Sequence, residues 1–283
     1  MQKFSLELLF HIIGIGSASG LFYDGSALFL ISDNSHILYE YNIADKSLSK
    51  HPLVNKEYTG PLENIPKPDK ADYEAIAVKG SDMYLFGSGS APGRNLIAHI
   101  NYKTKEVFPH IDATDLYLAM QSFGNIDAEN FNIEAAVNDG DTWYLFQRGN
   151  GPVKQNAVFT LNGTIEDTYF QILHNSYRLP KINGERAGFT DAVKVGNTLY
   201  FITAAEKSSS TYHDGEVAGS LIGTIDIETM KIGFTKVISE SKKFEGITLF
   251  KETATELQFL LCEDTDSDSG ASDIYLLKIP KGK

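Results

Sequence analysis

Cysteine is almost absent: Cys262 stands alone among 283 residues. A single thiol excludes an internal disulfide framework and any zinc site built from cysteines. Its apolar neighbours, Leu257 to Leu261, predict a buried and inert side chain. Basic charge is scarce too, with 25 Lys and Arg against 37 Asp and Glu and a formal net charge of −12. Without clustered cations the chain lacks the electrostatic footprint of a nucleic-acid or anionic-membrane binder. A cation is the more natural partner. No stretch approaches 18 uninterrupted apolar residues, so no spanning helix is expected. Helical periodicity is confined to Asp112–Phe123, with Asp112 as its N-cap. There is no Gly-x-Ser-x-Gly elbow for a serine nucleophile. The glycines at 14, 16 and 20, and at 87, 89 and 93, miss the dinucleotide fingerprint by one residue.

What is present is a repeat. Glu74 opens a short apolar run to Val78, which turns at Gly80–Asp82 into a second run, Met83 to Phe86. Similar units start at Ser19, Glu134, Asp191 and Glu245, with spacings of 55, 60, 57 and 54 residues. The 38 residues after Glu245 and the 19 through Ser19 together make one more period. Self-similarity at such a period marks a repeat array, and a unit shared between the termini marks a closed ring. With 42% hydrophobic and 22% charged residues the composition is ordinary and globular.

The expected fold is all-β: a five-bladed β-propeller with four antiparallel strands per blade, in which radial repetition protects the strand edges. One domain covers 1–283, with blades at about 19–60, 73–111, 133–173, 190–239 and 245–279. A strand at 4–13 closes the ring by joining the last blade, and 112–123 is a helical insertion. Blade two is expected to end in Val107–Pro109. Blade three is expected to turn at Asn162-Gly163 into Thr168–Leu173, and a loop with Arg178, Lys181 and Arg186 precedes blade four. The first 20 residues resemble a signal peptide in their small residues near Ser17, but Glu7 and His11 interrupt the apolar stretch. A cytoplasmic monomer is the expectation.

If each repeated acid opens an innermost strand, Glu74, Glu134, Asp191 and Glu245 converge on the central channel, with Ser19 at the fifth place. Such carboxylates repel one another, so protonation, buried bases or a cation must compensate. Hard oxygen ligands in a flexible cage suit Ca²⁺ better than Mg²⁺. The plainer alternative is a water-filled channel lined by polar strand starts. The loops on the same face add Asp33, Arg94, Arg148, Lys154, Lys207, His213 and Asp264. Arg94 and Arg148 lie in Gly-rich contexts suited to gripping an anion. The acids at 264, 266 and 268 resemble a calcium loop, but the glycine at 270 is one place late and the distal Glu is missing.

The pattern resembles the soluble calcium-activated nucleotidases (apyrases), and more loosely the phytase-like and esterase-like propellers. The resemblance lies in Ser19 with Leu21–Tyr23, in Tyr73-Glu74-Ala75 and Ile133-Glu134-Ala135, in Gly188 to Asp191, and in Phe244 to Ile247. It implies one calcium ion held by Ser, Glu, Glu, Ser and Glu at the matching places, with Asp191 standing for the second Ser. It also implies a metal-dependent hydrolase of phosphorylated or otherwise anionic small molecules, in which Arg94, Arg148 and Lys207 would neutralise developing phosphate charge. Two alternatives stand beside it: a scaffold whose ion staples the blades, and a glycosidase-type propeller using two carboxylates ~5–9 Å apart.

Overall fold

Each innermost strand lies between two neighbouring blades, and that position dictates its sequence. Ile133–Asp139 is buried along its first five residues, so it needs an apolar run rather than strict alternation. The outermost strand of the same blade, Gln171–Tyr177, alternates exposed and half-buried residues. The computed structural model describes residues 4–55, 57–166, 171–207, 215–265 and 270–281.

Five antiparallel sheets form the ring. Blade one runs Ala18–Tyr23, Ala27–Ser32, Ile37–Asn42 and Leu48–Pro52, counted outward from the axis. Blade two starts with Tyr73–Lys79, blade three with Ile133–Asp139, blade four with Glu185–Val195 and blade five with Lys243–Glu252. These innermost strands touch in ring order, and blade five closes on blade one. Closure is completed by Ser5–Ile13, which pairs antiparallel with Ala271–Pro280 from Ser5↔Lys278 to Ile13↔Ala271. The expected propeller and its closing strand are both present. No helix of the described residues is long and apolar enough to cross a membrane.

The core is divided among the blade interfaces. Between blades two and three, Phe86, Trp143 and Phe159 pack with Leu116, Tyr117 and Met120 of a helix. That helix spans Thr114–Gly124 and is preceded by Ala113, not by Asp112 as a cap. Asp112 is used earlier, because Ile111–Asp112 is the fourth strand of blade two. Its Oδ1 still accepts the Thr114 N–H at 2.9 Å. Val107–Pro109 forms no strand: Val107 makes only an isolated bridge to Ile100, and Pro109 has no N–H to extend a ladder. Asn162 pairs with Gln171, so it belongs to the strand and not to a two-residue hairpin turn with Gly163. Positions 168–170 of the expected strand lie outside the described residues. The expected loop before blade four contains a short ladder, Lys181↔Arg186 and Ile182↔Glu185.

Tight contact between blades five and one falls at Gly246. A Cβ there would sit 2.5 Å from Cys262 Sγ and 2.8 Å from Leu21 Cβ. Cys262 is fully buried, as expected, and cannot retreat. Gly246→Ala is therefore expected to cost about 1–3 kcal/mol by overpacking, read as a lower urea midpoint. An unchanged midpoint would show that this seam is looser than the geometry implies.

Candidate functional site

A β-bulge sets two residues against one, bending the strand and re-aiming a side chain. All five innermost strands carry one, where the pairing register shifts across Ser19, Glu74, Glu134, Thr190 and Glu245. The fourth member of the ring is thus Thr190. Asp191 occupies the following position, held in the other blades by Gly20, Ala75, Ala135 and Gly246. Its carboxylate turns to the backbone, accepting the Ala192 N–H at 2.7 Å and the Ile247 N–H at 2.7 Å. Burial pushes its pKa well up despite those two donors.

The two hydroxyl members act alike. Ser19 Oγ donates to the Tyr73 carbonyl at 2.8 Å, and Thr190 Oγ1 donates to the Phe244 carbonyl at 2.7 Å. Each ties its blade to the residue just before the next blade's bulge glutamate. Of the five expected ligands, Glu74, Glu134 and Glu245 line the axial cavity, whereas Ser19 and Asp191 do not.

Side chains two residues apart on a strand share a face, and the positions two before each bulge also reach this cavity. Ser17, Asp72, Asn132 and Lys243 line it. The fifth such position is Gly188, where a Cβ would meet Arg148 Cγ at 2.8 Å. Blade four therefore leaves room for a side chain from blade three. Second strands contribute opposite these places: Arg148 N bonds the Asn132 carbonyl at 2.8 Å, and Asp264 pairs with Lys243.

Buried bases hold most of these acids. Arg148 Nη1 lies 3.1 Å from Glu134 and 3.4 Å from Glu245, and Nη2 binds Glu206. Lys243 Nζ lies 2.9 Å from Glu245 and 3.0 Å from Asp264. Lys70 bridges Asp33 and Asp72, the latter at 2.7 Å. Arg94 Nη1 adds a 2.6 Å contact to Asp72 Oδ2. Burial alone would raise the Asp72 carboxyl, but Lys70 and Arg94 together hold it below the usual carboxylate range.

Glu74 is different. Among the described residues no hydrogen bond or ion pair reaches its carboxylate, which faces the cavity beside Asp33 and Asp72. Burial and the charges of Asp72 and Glu134 push its pKa well up, with Lys70 opposing. Glu74, Asp33 and Asp72 each offer an oxygen within 4.8 Å of the others. Asp33 Oδ1 is buried and, among the described residues, has no hydrogen-bond partner.

Of the three expected anion-binding residues, Arg148 and Arg94 are committed to carboxylates. Lys207 is half-exposed, pairs with Glu216 at 2.7 Å and does not line the cavity. His213 and the acids at 266 and 268 lie outside the described residues. Sequence reasoning missed Lys70, Asp72, Glu206 and Lys243. A signal existed for two of them: Asp72 and Lys243 stand two places before recurring glutamates. The cavity has a free volume of ≈ 60 Å³. That holds about four to six waters, far less than the several hundred Å³ of a drug-sized site.

A five-bladed propeller with a charged axial cavity is the class that fold and site define. Across residues 14–279 the chain matches DUF6929, a family of unknown function, and it belongs to that family. No curated protein matches it. Among solved structures it is similar to glutaminyl cyclase from Myxococcus xanthus, with a TM-score of 0.52 and 8% identity over 98% of this chain and 97% of that one. It is also similar to the PQQ-bound aldose sugar dehydrogenase of Streptomyces coelicolor, with a TM-score of 0.51 and 10% identity over 98% of this chain and 99% of that one. At such identities the likeness is one of fold, and function has to be argued from the site.

Proposed function

We propose that the protein is a cation-binding propeller whose axial cavity takes Ca²⁺ at Glu74, Asp33 and Asp72. One observation carries this reading: Glu74 faces the cavity without a partner among the described residues, while the other cavity carboxylates are paired. An unpaired carboxylate in a confined site is costly unless a cation answers it. Asp33 Oδ1, buried and without a hydrogen-bond partner among the described residues, supports the same place.

The ring implied by the nucleotidase resemblance fits an ion less well. Thr190 does supply a hydroxyl where that pattern has its second serine, but both ring hydroxyls donate to carbonyls. Glu134 and Glu245 are occupied by Arg148, and Glu245 also by Lys243. Binding beside Asp33 and Asp72 instead requires Lys70 to yield part of its hold on them. Phosphoester hydrolysis gains little support, because Arg94 and Arg148 are already neutralised by carboxylates. A small anion could enter only as a partner of the bound cation.

The test is thermal unfolding of chelator-treated protein with added Ca²⁺ or Mg²⁺. An ion at 100 times its Kd should stabilise the fold by about 2.7 kcal/mol. A Ca²⁺-selective rise that disappears in Glu74→Gln is the expected result. A rise unaffected by that substitution would place the ion elsewhere, and no rise with either ion would remove the cation reading.

A further inference from the structure

A second cavity lies between blades one and two, and the axial site does not use it. Its volume is ≈ 670 Å³, within the range of pockets that enclose small organic ligands. Its walls come from two connections. Leu53, Val54 and Tyr58 follow the outer strand of blade one, and Val107, Phe108 and His110 follow the third strand of blade two. His110 Nε2 lies 2.8 Å from the Leu53 carbonyl, joining the two walls. Tyr58 stands edge-on to His36, with ring centroids 5.4 Å apart.

Two polar atoms in this apolar setting lack partners. His36 Nδ1 and Tyr73 Oη are buried, and among the described residues neither has a hydrogen bond. Both residues line the pocket, and their rings are 6.1 Å apart at 68°. The residues themselves are only 9% and 1% exposed. Orphaned buried polar groups carry a desolvation penalty that a matching ligand atom removes. Among the described residues no Asp, Glu, Lys or Arg lines the pocket, so its described walls favour an uncharged ligand over a charged one. Burial, with His110 nearby, lowers the His36 pKa, and burial raises that of Tyr73. Both are therefore neutral near pH 7.

We propose that this interblade pocket binds an uncharged aromatic small molecule through one hydroxyl or carbonyl oxygen, seated between Tyr73 Oη and His36 Nδ1. The aromatic body lies against Leu53, Leu96 and Phe108. This site is independent of the cation reading, since it shares no lining residue with the axial cavity.

The probe is 2-naphthol, titrated by its own fluorescence, with 2-naphthoate as the charged comparison. Saturable binding of 2-naphthol is expected, at least about tenfold tighter than that of 2-naphthoate. Tyr73→Phe keeps the ring and removes only the hydroxyl, so it should weaken binding about tenfold, the value of one buried hydrogen bond. Its unfolding midpoint should be unchanged or raised, because no internal bond is lost. Val54→Trp, at a half-buried wall position, should abolish binding by filling the space. Failure of 2-naphthol to bind up to about 1 mM would overturn the proposal. So would equal affinity for wild type and Tyr73→Phe, or undiminished binding in Val54→Trp.

Discussion

Replacing Arg148 with methionine is expected to destabilise the fold by about 3–5 kcal/mol, the loss typical when one partner of a buried charge cluster is removed. Three carboxylates depend on this one guanidinium: Glu134 at 3.1 Å, Glu245 at 3.4 Å and Glu206. All four side chains are 4–7% exposed, so water cannot replace the missing cation. Lys243 still reaches Glu245 at 2.9 Å and Glu206 more distantly at 3.7 Å, which leaves Glu134, with only the Asn132 amide at 2.6 Å, as the main orphan. Arg148→Lys should fall between, since a point charge cannot span three acids as a planar fork does. The deficit of Arg148→Met should be largest at pH 8 and shrink toward pH 5, as the abandoned carboxylates take up protons. Urea unfolding across that range gives the answer. A loss below about 1 kcal/mol at pH 8 would mean that the cluster is already largely neutral by protonation. Any loss of activity in an Arg148 variant would accordingly have to be separated from loss of fold before it is read as chemistry.

The ring was legible because its physical demands repeat. A strand sandwiched between blades has to be apolar on both faces, and five such strands recur with turn residues between them. The closing strand was legible from the leftover period at the two ends. The bulge was not. Reading acids alone selects Asp191, one residue past the true position, and so turns a backbone-bound carboxylate into a channel ligand. Thr190 makes the spacing more even, 56 residues from Glu134 and 55 to Glu245. Phe189-Thr190 also matches Phe244-Glu245, an aromatic followed by a polar residue. Once the bulge is fixed, alternation assigns Asp72, Asn132 and Lys243 to the cavity. Lys70 and Arg94 come from loops that carry no repeat, and Glu206 sits at the end of a second strand longer than those of blades one to three. Their convergence is set by tertiary folding. The sequence shows many acids near the axis; only the assembled ring shows that bases from four separate segments meet them.

Stability of the chelator-treated protein is expected to rise as the pH falls from 8 to about 5.5. Burial pushes the Glu134 carboxyl up to about 7 from an ordinary 4.5, against the opposing pull of Arg148 and Lys243. The folded state therefore binds this proton more tightly than the unfolded chain does. The stabilisation is complete below the unfolded value and is lost as the pH climbs through about 7. At 1.36 kcal/mol per pKa unit this one group contributes on the order of 3 kcal/mol. Glu74, Glu245 and Asp191 are displaced in the same direction, chiefly by burial. Asp72 opposes them in stronger acid, because Lys70 and Arg94 hold it below its usual range and it loses stability as the pH falls through that lower value. Glu74→Gln removes the one cavity carboxylate without a partner among the described residues. It should raise the urea midpoint at pH 8, flatten the pH profile, and forfeit the response to Ca²⁺. A profile that is flat or falls between pH 8 and 6 would show that the buried bases fully balance the acids, leaving the cavity without the deficit of positive charge on which cation binding rests. A gain in stability from Glu74→Gln together with a lost ion response would instead mark Glu74 as a residue kept at a cost to the fold for the sake of binding.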